Sequence, residues 1–295
     1  IGQGRPDRIS DAVHTTVLLS IIGGVIVAIL GICFAKPILI LMDSPDNVIN
    51  LATLYLRIFF AGRPFMMIYA YCAAILRSKG DTRRPLLILV CSGIIKVGIN
   101  LLFVCVFGMG VAGVAIATII ANVLNSGSLV FILTREEGPF KLNLRRLTIK
   151  KEHFIRILKI GVPAGVQGMV FSFSNVCIQS AINGFGSDAI AGSAAALNFE
   201  YFSYFVLNAF GQTAVTFTSQ NFGAGNAERC KKVFLISMVM GTVAMMICNA
   251  GFFLGRNALL LIFTSDPNVL PWSLVRTSHV LIFQWIACSY ELSGQ

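Results

Sequence analysis

The chain has 295 residues, of which 56% are hydrophobic and only 12% are charged, and its net charge is +10 at pH 7. Soluble domains carry roughly 25% charged residues, so this composition excludes an ordinary water-soluble fold. Nucleic-acid binding is not a good explanation of the basic excess, because the basic residues lie in alternate loops between apolar runs.

Apolar stretches recur in chain order, and a helix of about 20 such residues crosses a bilayer roughly 30 Å thick. The stretches do not show the alternating ten-residue pattern of a membrane β-barrel. The predicted fold class is therefore an all-α polytopic membrane protein. Its eight predicted spans are residues 15–35, 50–77, 86–107, 110–134, 160–183, 188–219, 233–254 and 270–292.

Basic residues are concentrated in every second loop. They precede the first predicted span and follow the second, fourth and sixth, whereas the intervening loops contain only Lys36 and Arg256. This is the positive-inside pattern, and it predicts that the basic loops face the cytoplasm.

The chain contains one segment twice. Residues 1–8 match residues 222–229 at a constant offset of 221 (223 − 2), with two glycines and an arginine in register. Both copies are basic loops, and the six predicted spans between them are an even number. The two halves therefore have the same orientation in the membrane, as parallel repeats of a transporter do.

The repeat also predicts the domain organisation. Residues 1–134 form the end of a first lobe, 135–159 a basic cytoplasmic linker, and 160–295 the start of a second lobe. The first two spans of the second lobe would have their partners before residue 1, so we expect the chain to be an internal piece of a longer protein. We interpret part of the linker as lying on the anionic leaflet, and a solvated loop is the alternative.

Three segments carry a family resemblance. Residues 76–85 (LRSKGDTRRP), 108–118 (GMGVAGVAIAT) and 219–229 (SQNFGAGNAER) resemble three loops of the MATE (multidrug and toxic compound extrusion) family, with Ser78 in place of a usual glycine. Their order, spacing and place on a doubled array strengthen the resemblance, and Lys96 with residues 217–220 (FTSQ) looks more like the bacterial DinF-like members than the NorM-like branch. The motif positions are Arg77, Gly80, Asp81, Gln220, Asn221, Gly223 and Arg229.

The resemblance implies twelve helices in two six-helix lobes, with this chain running from the third helix into the tenth. It implies a monomeric antiporter in the plasma membrane that exports lipophilic organic cations, drugs or toxic metabolites by alternating access. The coupling ion would be H⁺ or Na⁺, with no other cofactor. A lipid-linked oligosaccharide flippase of the same superfamily is the alternative, and it would need several basic residues in its cleft.

An enzyme or a metal site is not predicted. The three histidines are dispersed, and the eight cysteines are scattered without a CxxC pair or a Cys/His cluster. A membrane-embedded enzyme would need a clustered nucleophile, base or metal set. The cysteines are more typical of small apolar packing groups.

Two of the thirteen acids, Glu200 and Glu291, lie inside predicted spans rather than in loops or at span ends. Ionisable residues are costly at membrane depth and mark ion or substrate pathways. We therefore predict that Glu200 is a coupling carboxylate of the second lobe. The alternative is a structural carboxylate held by a lysine or arginine. Glu291 is nearer the end of its span and is a second candidate.

The first lobe offers a different set of candidates. Lys96 and Asn100 lie one helical turn apart and share a face. Some members of the family have an Asn and an Asp at the matching positions and use them with the threonine that corresponds to Thr118. Lys96 would instead titrate, pair with a carboxylate, repel cations or extend to the interface. Gln167, in a segment that resembles the family's G-x-P opening, completes the predicted cleft residues.

Overall fold

The computed structural model of the protein describes residues 2–41 and 46–294, and within them all regular secondary structure is helical. This confirms the all-α prediction. The helices are α1 Pro6–Leu41, α2 Asp46–Ala61, α3 Arg63–Ser78, α4 Arg83–Leu101, α5 Gly110–Arg135, α6 Lys151–Asn183, α7 Ser187–Gly223, α8 Ala227–Leu260, α9 Leu270–Phe283 and α10 Ala287–Gly294.

Six helical segments in the described part of the chain are long and apolar enough to cross a membrane. They correspond to six of the eight predicted spans. The other two predicted spans are also helical, but α7 carries polar residues along its 37-residue length, and a 3₁₀ turn at Gln284–Ile286 separates α9 from α10. The six segments are Pro6–Ile40, Ile49–Ser78, Arg83–Val106, Gly110–Arg135, Lys151–Asn183 and Ala227–Leu260.

The described residues, Gly2 aside, divide into two compact units, 3–157 and 158–294. In the first unit α1 packs against α2 and α3, and α5 packs against α3 and α4. Its core is formed by apolar side chains of α1, α3 and α5, of which Leu76, Leu129 and Leu133 are completely buried. In the second unit α7 packs against α8 and α9, and α10 packs against α7 and α8.

The repeat that is visible in the sequence also appears in the backbone. The second span of the first unit breaks at Gly62, between α2 and α3. Adding the offset gives residue 283 (62 + 221), where α9 ends before the 3₁₀ turn. Gly4 and Gly225, which are also in register, both have positive φ, +61° and +76°. The two halves therefore share a helix break and a turn as well as an apolar pattern.

Close approach of α7 and α9 depends on Gly192. A Cβ placed on Gly192 would lie 2.7 Å from Trp272 Cβ and 2.8 Å from the Val269 carbonyl oxygen. One of these atoms belongs to the neighbouring backbone and the other is a Cβ attached to it, so neither can rotate away from an added Cβ. The absence of a side chain at Gly192 therefore sets the distance between the two helices, as small residues do in membrane helix pairs.

We predict that Gly192→Ala destabilises the second unit by roughly 1–3 kcal/mol, because the added methyl must push α9 away. The matched control is Gly251→Ala on α8, where a Cβ would meet no atom within 4 Å. The thermal unfolding midpoint of the detergent-solubilised full-length protein checks this. Equal midpoints for the two variants would contradict the role of Gly192.

Candidate functional site

An ion pair inside the second unit joins α7 to α9. Arg276 donates through Nε to Glu200 Oε1 at 2.7 Å and through Nη2 to Glu200 Oε2 at 3.1 Å. The side chains of Glu200 and Arg276 are only 15% and 20% exposed. A two-point contact between a guanidinium and a carboxylate is the strong form of this interaction, because both oxygens accept from a planar, preorganised donor.

Neighbouring polar groups hold both partners in place. Arg276 Nη1 donates to Ser193 Oγ at 2.7 Å, and Ser193 lies two turns before Glu200 on the same face of α7. The Gln284 amide, in the turn that follows α9, donates to the Glu200 carbonyl oxygen at 2.9 Å. The middle of α9 and the turn that follows it are thus both fixed to α7 at one residue, Glu200.

Three buried oxygens close to this pair accept no hydrogen bond within the described residues. They are Asn249 Oδ1 on α8, Thr277 Oγ1 on α9 and Gln284 Oε1 in the turn. The Asn249 amide donates to the Leu281 carbonyl, one turn after Thr277 on α9. Thr277 and Gln284 are seven residues apart, on the side of α9 and its following turn that Asn249 contacts from α8.

Arg276 is a site residue that the pattern of acids does not identify. It lies inside the predicted span 270–292, and the rule that intramembrane ionisable residues mark function applies to arginine as well as to carboxylates. Its position in a span was the available signal. The structure brings Glu200 together with a basic partner, Arg276. This is the contact expected if Glu200 is a structural carboxylate held by a lysine or arginine.

Glu291 contacts the same helix as Glu200. The Tyr204 hydroxyl donates to Glu291 Oε1 at 3.0 Å, and Tyr204 lies one turn after Glu200 on α7. The two acids predicted from the sequence therefore mark successive turns of α7: Glu200 on α7 binds Arg276 of α9, and Glu291 on α10 binds Tyr204 of α7.

The first-unit candidates do not form a hydrogen-bonded cluster in the described residues. Thr118 donates to the Val114 carbonyl of its own helix at 2.9 Å, and Asn100 Oδ1 is buried without a partner. Lys96 is half-buried and forms no ion pair in the part of the chain that the structure describes. The polar link between α4 and α5 comes instead from Ser92, which donates to Asn125 Oδ1 at 2.5 Å.

Gln167 lies apart from the ion pair. It is exposed on α6, a helix without a buried residue among those described. Its side-chain amide lies 2.9 Å from the position that a Cβ of Gly294 would occupy. The structure thus places Gln167 beside the end of α10 rather than beside Glu200.

The first motif loop is a helix-ending turn followed by a helix cap. Gly80 has φ +97°, its N–H donates to the Arg77 carbonyl at 2.9 Å, and the Asp81 N–H donates to the Leu76 carbonyl at 3.0 Å. This is the Schellman arrangement, which needs a left-handed residue and so favours glycine. Asp81 Oδ1 then accepts from the Arg83 and Arg84 backbone N–H groups and caps α4.

The third motif segment, residues 219–229, repeats this geometry. Gly225 has φ +76°, its N–H donates to the Phe222 carbonyl, and the Asn226 N–H donates to the Asn221 carbonyl, both at 3.0 Å. Asn226 Oδ1 accepts from the Arg229 backbone N–H at 3.1 Å and caps α8. Gln220 and Gly223 lie in the last turn of α7. The positive φ falls on Gly225 rather than on the motif's Gly223.

A buried carboxylate supports the first motif loop. The Glu136 side chain is 7% exposed and pairs with Lys79 Nζ at 2.5 Å and with the Arg84 guanidinium. The hydrogen bond from Lys79 is the main reason that the pKa of Glu136 lies below its usual value, with Arg84 acting in the same direction and burial opposing both. Glu136 thus ties the loop between α3 and α4 to the end of α5.

Comparison with known proteins gives consistent matches. A family model described as MatE matches residues 1–102 and 163–294. The chain is 28% identical, over 95% of its length, to the probable multidrug resistance protein YoeA of Bacillus subtilis, and covers 60% of that protein. It is 26% identical to an FAD transporter of Shewanella oneidensis, over its full length, and covers 65% of that protein.

Solved structures show the same fold. An outward-facing multidrug resistance MATE family transporter aligns with a TM-score of 0.88 at 19% identity, over 97% of this chain and 65% of that chain. A transporter of the MOP superfamily from Pyrococcus furiosus, described as having a binding pocket of reverse polarity, aligns with a TM-score of 0.86 at 19% identity. The chain spans about three-fifths of the length of the curated relatives it matches.

We predict that Arg276→Met lowers the free energy of unfolding by about 3–5 kcal/mol, because it leaves the Glu200 carboxylate buried without its partner. The double variant Glu200→Gln/Arg276→Met should recover most of this loss. The matched control is Lys232→Met, which breaks an exposed pair with Glu228 and should have no measurable effect. Denaturant titration of the full-length protein measures all three, and additive losses in the double variant would contradict coupling.

We also predict a pH-dependent first motif loop. The pKa of Glu136 is lowered from 4.5 by folding, so its stabilisation is fully present above about pH 4.5 and is lost as the pH falls through the lowered pKa. Hydrogen exchange of residues 80–84 should accelerate in that range after correction for intrinsic rates. Glu136→Gln should exchange fast at pH 7 already, whereas the exposed neighbour Glu137→Gln should behave as wild type. A wild-type profile in Glu136→Gln would refute the role of this carboxylate.

Proposed function

This chain belongs to the MatE family, and we propose that the protein exports drugs or toxic small molecules across the membrane in exchange for H⁺ or Na⁺. The family match supports transport of small molecules, and the names of several relatives support drugs as substrates. The observation that carries the coupling proposal is the two-point ion pair between Glu200 and Arg276.

A coupling site must exist in two states that an ion distinguishes. With Glu200 ionised, Arg276 holds α9 against α7 through two hydrogen bonds. Protonation of Glu200 removes the charge that attracts Arg276 and one of the two acceptors, so the pair weakens. An ion can shift a conformational equilibrium only by the difference in its affinity for the two states. We propose that α9 is bound to α7 in one of these states and released from α7 in the other.

Sodium is the second possible coupling ion. Hard cations bind to oxygen ligands, and three buried oxygens of the second unit have no partner within the described residues: Thr277 Oγ1 on α9, Gln284 Oε1 in the turn after α9 and Asn249 Oδ1 on α8. A cation held by these atoms would compete with Arg276 for the carboxylate. Either ion would therefore act on the same pair within the second unit. We propose that the protein works by alternating access as a monomer in the plasma membrane, with its basic loops cytoplasmic.

Anion export is a second candidate function. Lys96 and Arg63 in the first unit are half-buried and form no ion pair within the described residues. Arg63 lies over the Phe59 ring at 4.5 Å from its centroid, and its Nε is buried without an acceptor. A relative described as an FAD transporter favours testing an anionic substrate of the nucleotide class beside the cationic drugs.

We predict that proteoliposomes of the full-length protein export ethidium when a proton or a sodium gradient is applied, and that Glu200→Gln lowers the gradient-driven rate at least about tenfold. The rate falls because a neutral amide cannot alternate between paired and released states. The matched control, Glu228→Gln, removes an exposed acid of the same unit and should export at the wild-type rate. The gradient that drives wild-type export identifies the ion.

Two outcomes would decide against parts of this proposal. Wild-type export by folded Glu200→Gln would refute the coupling role of the ion pair. Gradient-driven export of FAD but not of ethidium, lost in Lys96→Gln, would replace the cationic substrate with the anionic one.

A further inference from the structure

The segment 136–150 is bound to the first unit by hydrogen bonds to its main chain. The Asn143 N–H donates to His14 Nε2 at 3.0 Å. The Thr15 hydroxyl donates to the Thr148 carbonyl at 3.1 Å and accepts from the Lys150 N–H at 3.2 Å. His14 and Thr15 are adjacent on α1 and almost fully buried. The segment is therefore fixed to α1 and is not a freely solvated loop.

These contacts set the depth of the segment relative to the membrane. Thr15 stands where the basic N-terminal part of α1 gives way to its apolar run, at the start of the predicted span 15–35. The segment also connects the last residue of α5, Arg135, to the first residue of α6, Lys151. Its backbone thus lies at the level at which the spans meet the lipid headgroups.

The segment packs some of its apolar side chains into the core of the first unit and exposes most of its other side chains. Leu142 is 2% exposed and packs into the core of the first unit, where Leu147 also packs. Leu144 and Ile149 are 53% and 44% exposed. The segment's exposed basic and large apolar residues, which we call the linker surface, are Lys141, Leu144, Arg145, Arg146, Ile149 and Lys150.

Most of the positive charge on the linker surface is not neutralised by the protein. Within the described residues, Lys141, Arg145 and Arg146 form no salt bridge, whereas Lys150 lies 3.8 Å from Asp11. Three exposed cations beside two exposed apolar side chains form a surface that is both basic and hydrophobic. A surface of this kind suits the boundary between headgroups and acyl chains.

We propose that the linker surface binds anionic phospholipids of the cytoplasmic leaflet. The basic side chains contact the phosphates, and Leu144 and Ile149 enter the adjoining acyl region. Each basic side chain near an anionic leaflet increases association roughly fivefold, because the surface potential is negative. The exposed leucine and isoleucine favour a membrane over a soluble acidic partner or a nucleic acid, which offers no apolar phase beside its phosphates.

Tryptophan quenching tests the proposal without relying on transport. The probe is Leu144→Trp in full-length protein in which every other tryptophan, Trp272 and Trp285 included, is replaced by phenylalanine, and it is reconstituted in phosphatidylcholine vesicles. Acyl-chain-brominated phosphatidylglycerol or brominated phosphatidylcholine is added at equal mole fraction. We expect at least about twofold stronger quenching by the anionic lipid at low salt, with the preference falling as salt screens the charges.

Two paired substitutions locate the effect. Arg145→Gln/Arg146→Gln on the probe background should remove the preference for the anionic lipid. The matched control Lys231→Gln/Lys232→Gln removes the same charge from the first turns of α8. It should keep the preference for the anionic lipid.

Each alternative result overturns the proposal in a distinct way. Equal quenching by the two lipids would show apolar contact without recognition of charge. The absence of quenching by either lipid would show a solvated segment. A preference that survives in Arg145→Gln/Arg146→Gln, or that is lost in Lys231→Gln/Lys232→Gln, would show an effect of net charge rather than of the linker surface.

Discussion

A charged pair inside an apolar helical unit constrains everything built around it. Removing a carboxylate and a guanidinium from water is costly, and only good geometry with further hydrogen bonds offsets that penalty. Here Glu200 and Arg276 meet at two points, Ser193 takes a third guanidinium N–H, and Gln284 fixes the backbone of Glu200. The close packing of α7 and α9 at Gly192 brings these groups within reach. Fold and candidate chemistry in the second unit therefore depend on the same helix contact.

The two halves share architecture but not chemistry. The helix break and the positive-φ turns recur in register, because both depend on backbone geometry. The ion pair does not recur, since the offset places Tyr55 (276 − 221) where the second unit has Arg276. Arg63, which matches Gln284 (63 + 221), lies against aromatic rings instead of an acid. A duplicated scaffold has thus kept its turns while its interior charges have diverged.

The parts of the structure that follow local rules were predictable from the sequence. Apolar runs identified the spans, and Gly80 with Asp81 indicated a turn, because helix ends are set by nearby residues. Pairing between distant residues was not predictable in the same way. Glu200 and Arg276 are 76 residues apart, so hydropathy shows that both are buried but not that they meet. Hydropathy also ranks α7 below the other long helices because it carries the polar groups of the site. The first-unit site predicted at Lys96, Asn100 and Thr118 remains a prediction. No hydrogen bond joins these three side chains in the described part of the chain.

The attachment of the segment after α5 has a consequence for sequence variation. His14 and Thr15 bind its N–H and carbonyl groups, which every non-proline residue supplies. The exposed side chains of the segment are thus not needed to position it, and part of that requirement falls on two adjacent residues of α1. Relatives with this architecture can change the segment's composition widely, and so adapt to membranes of different lipid content, provided that two hydrogen-bonding side chains persist on α1.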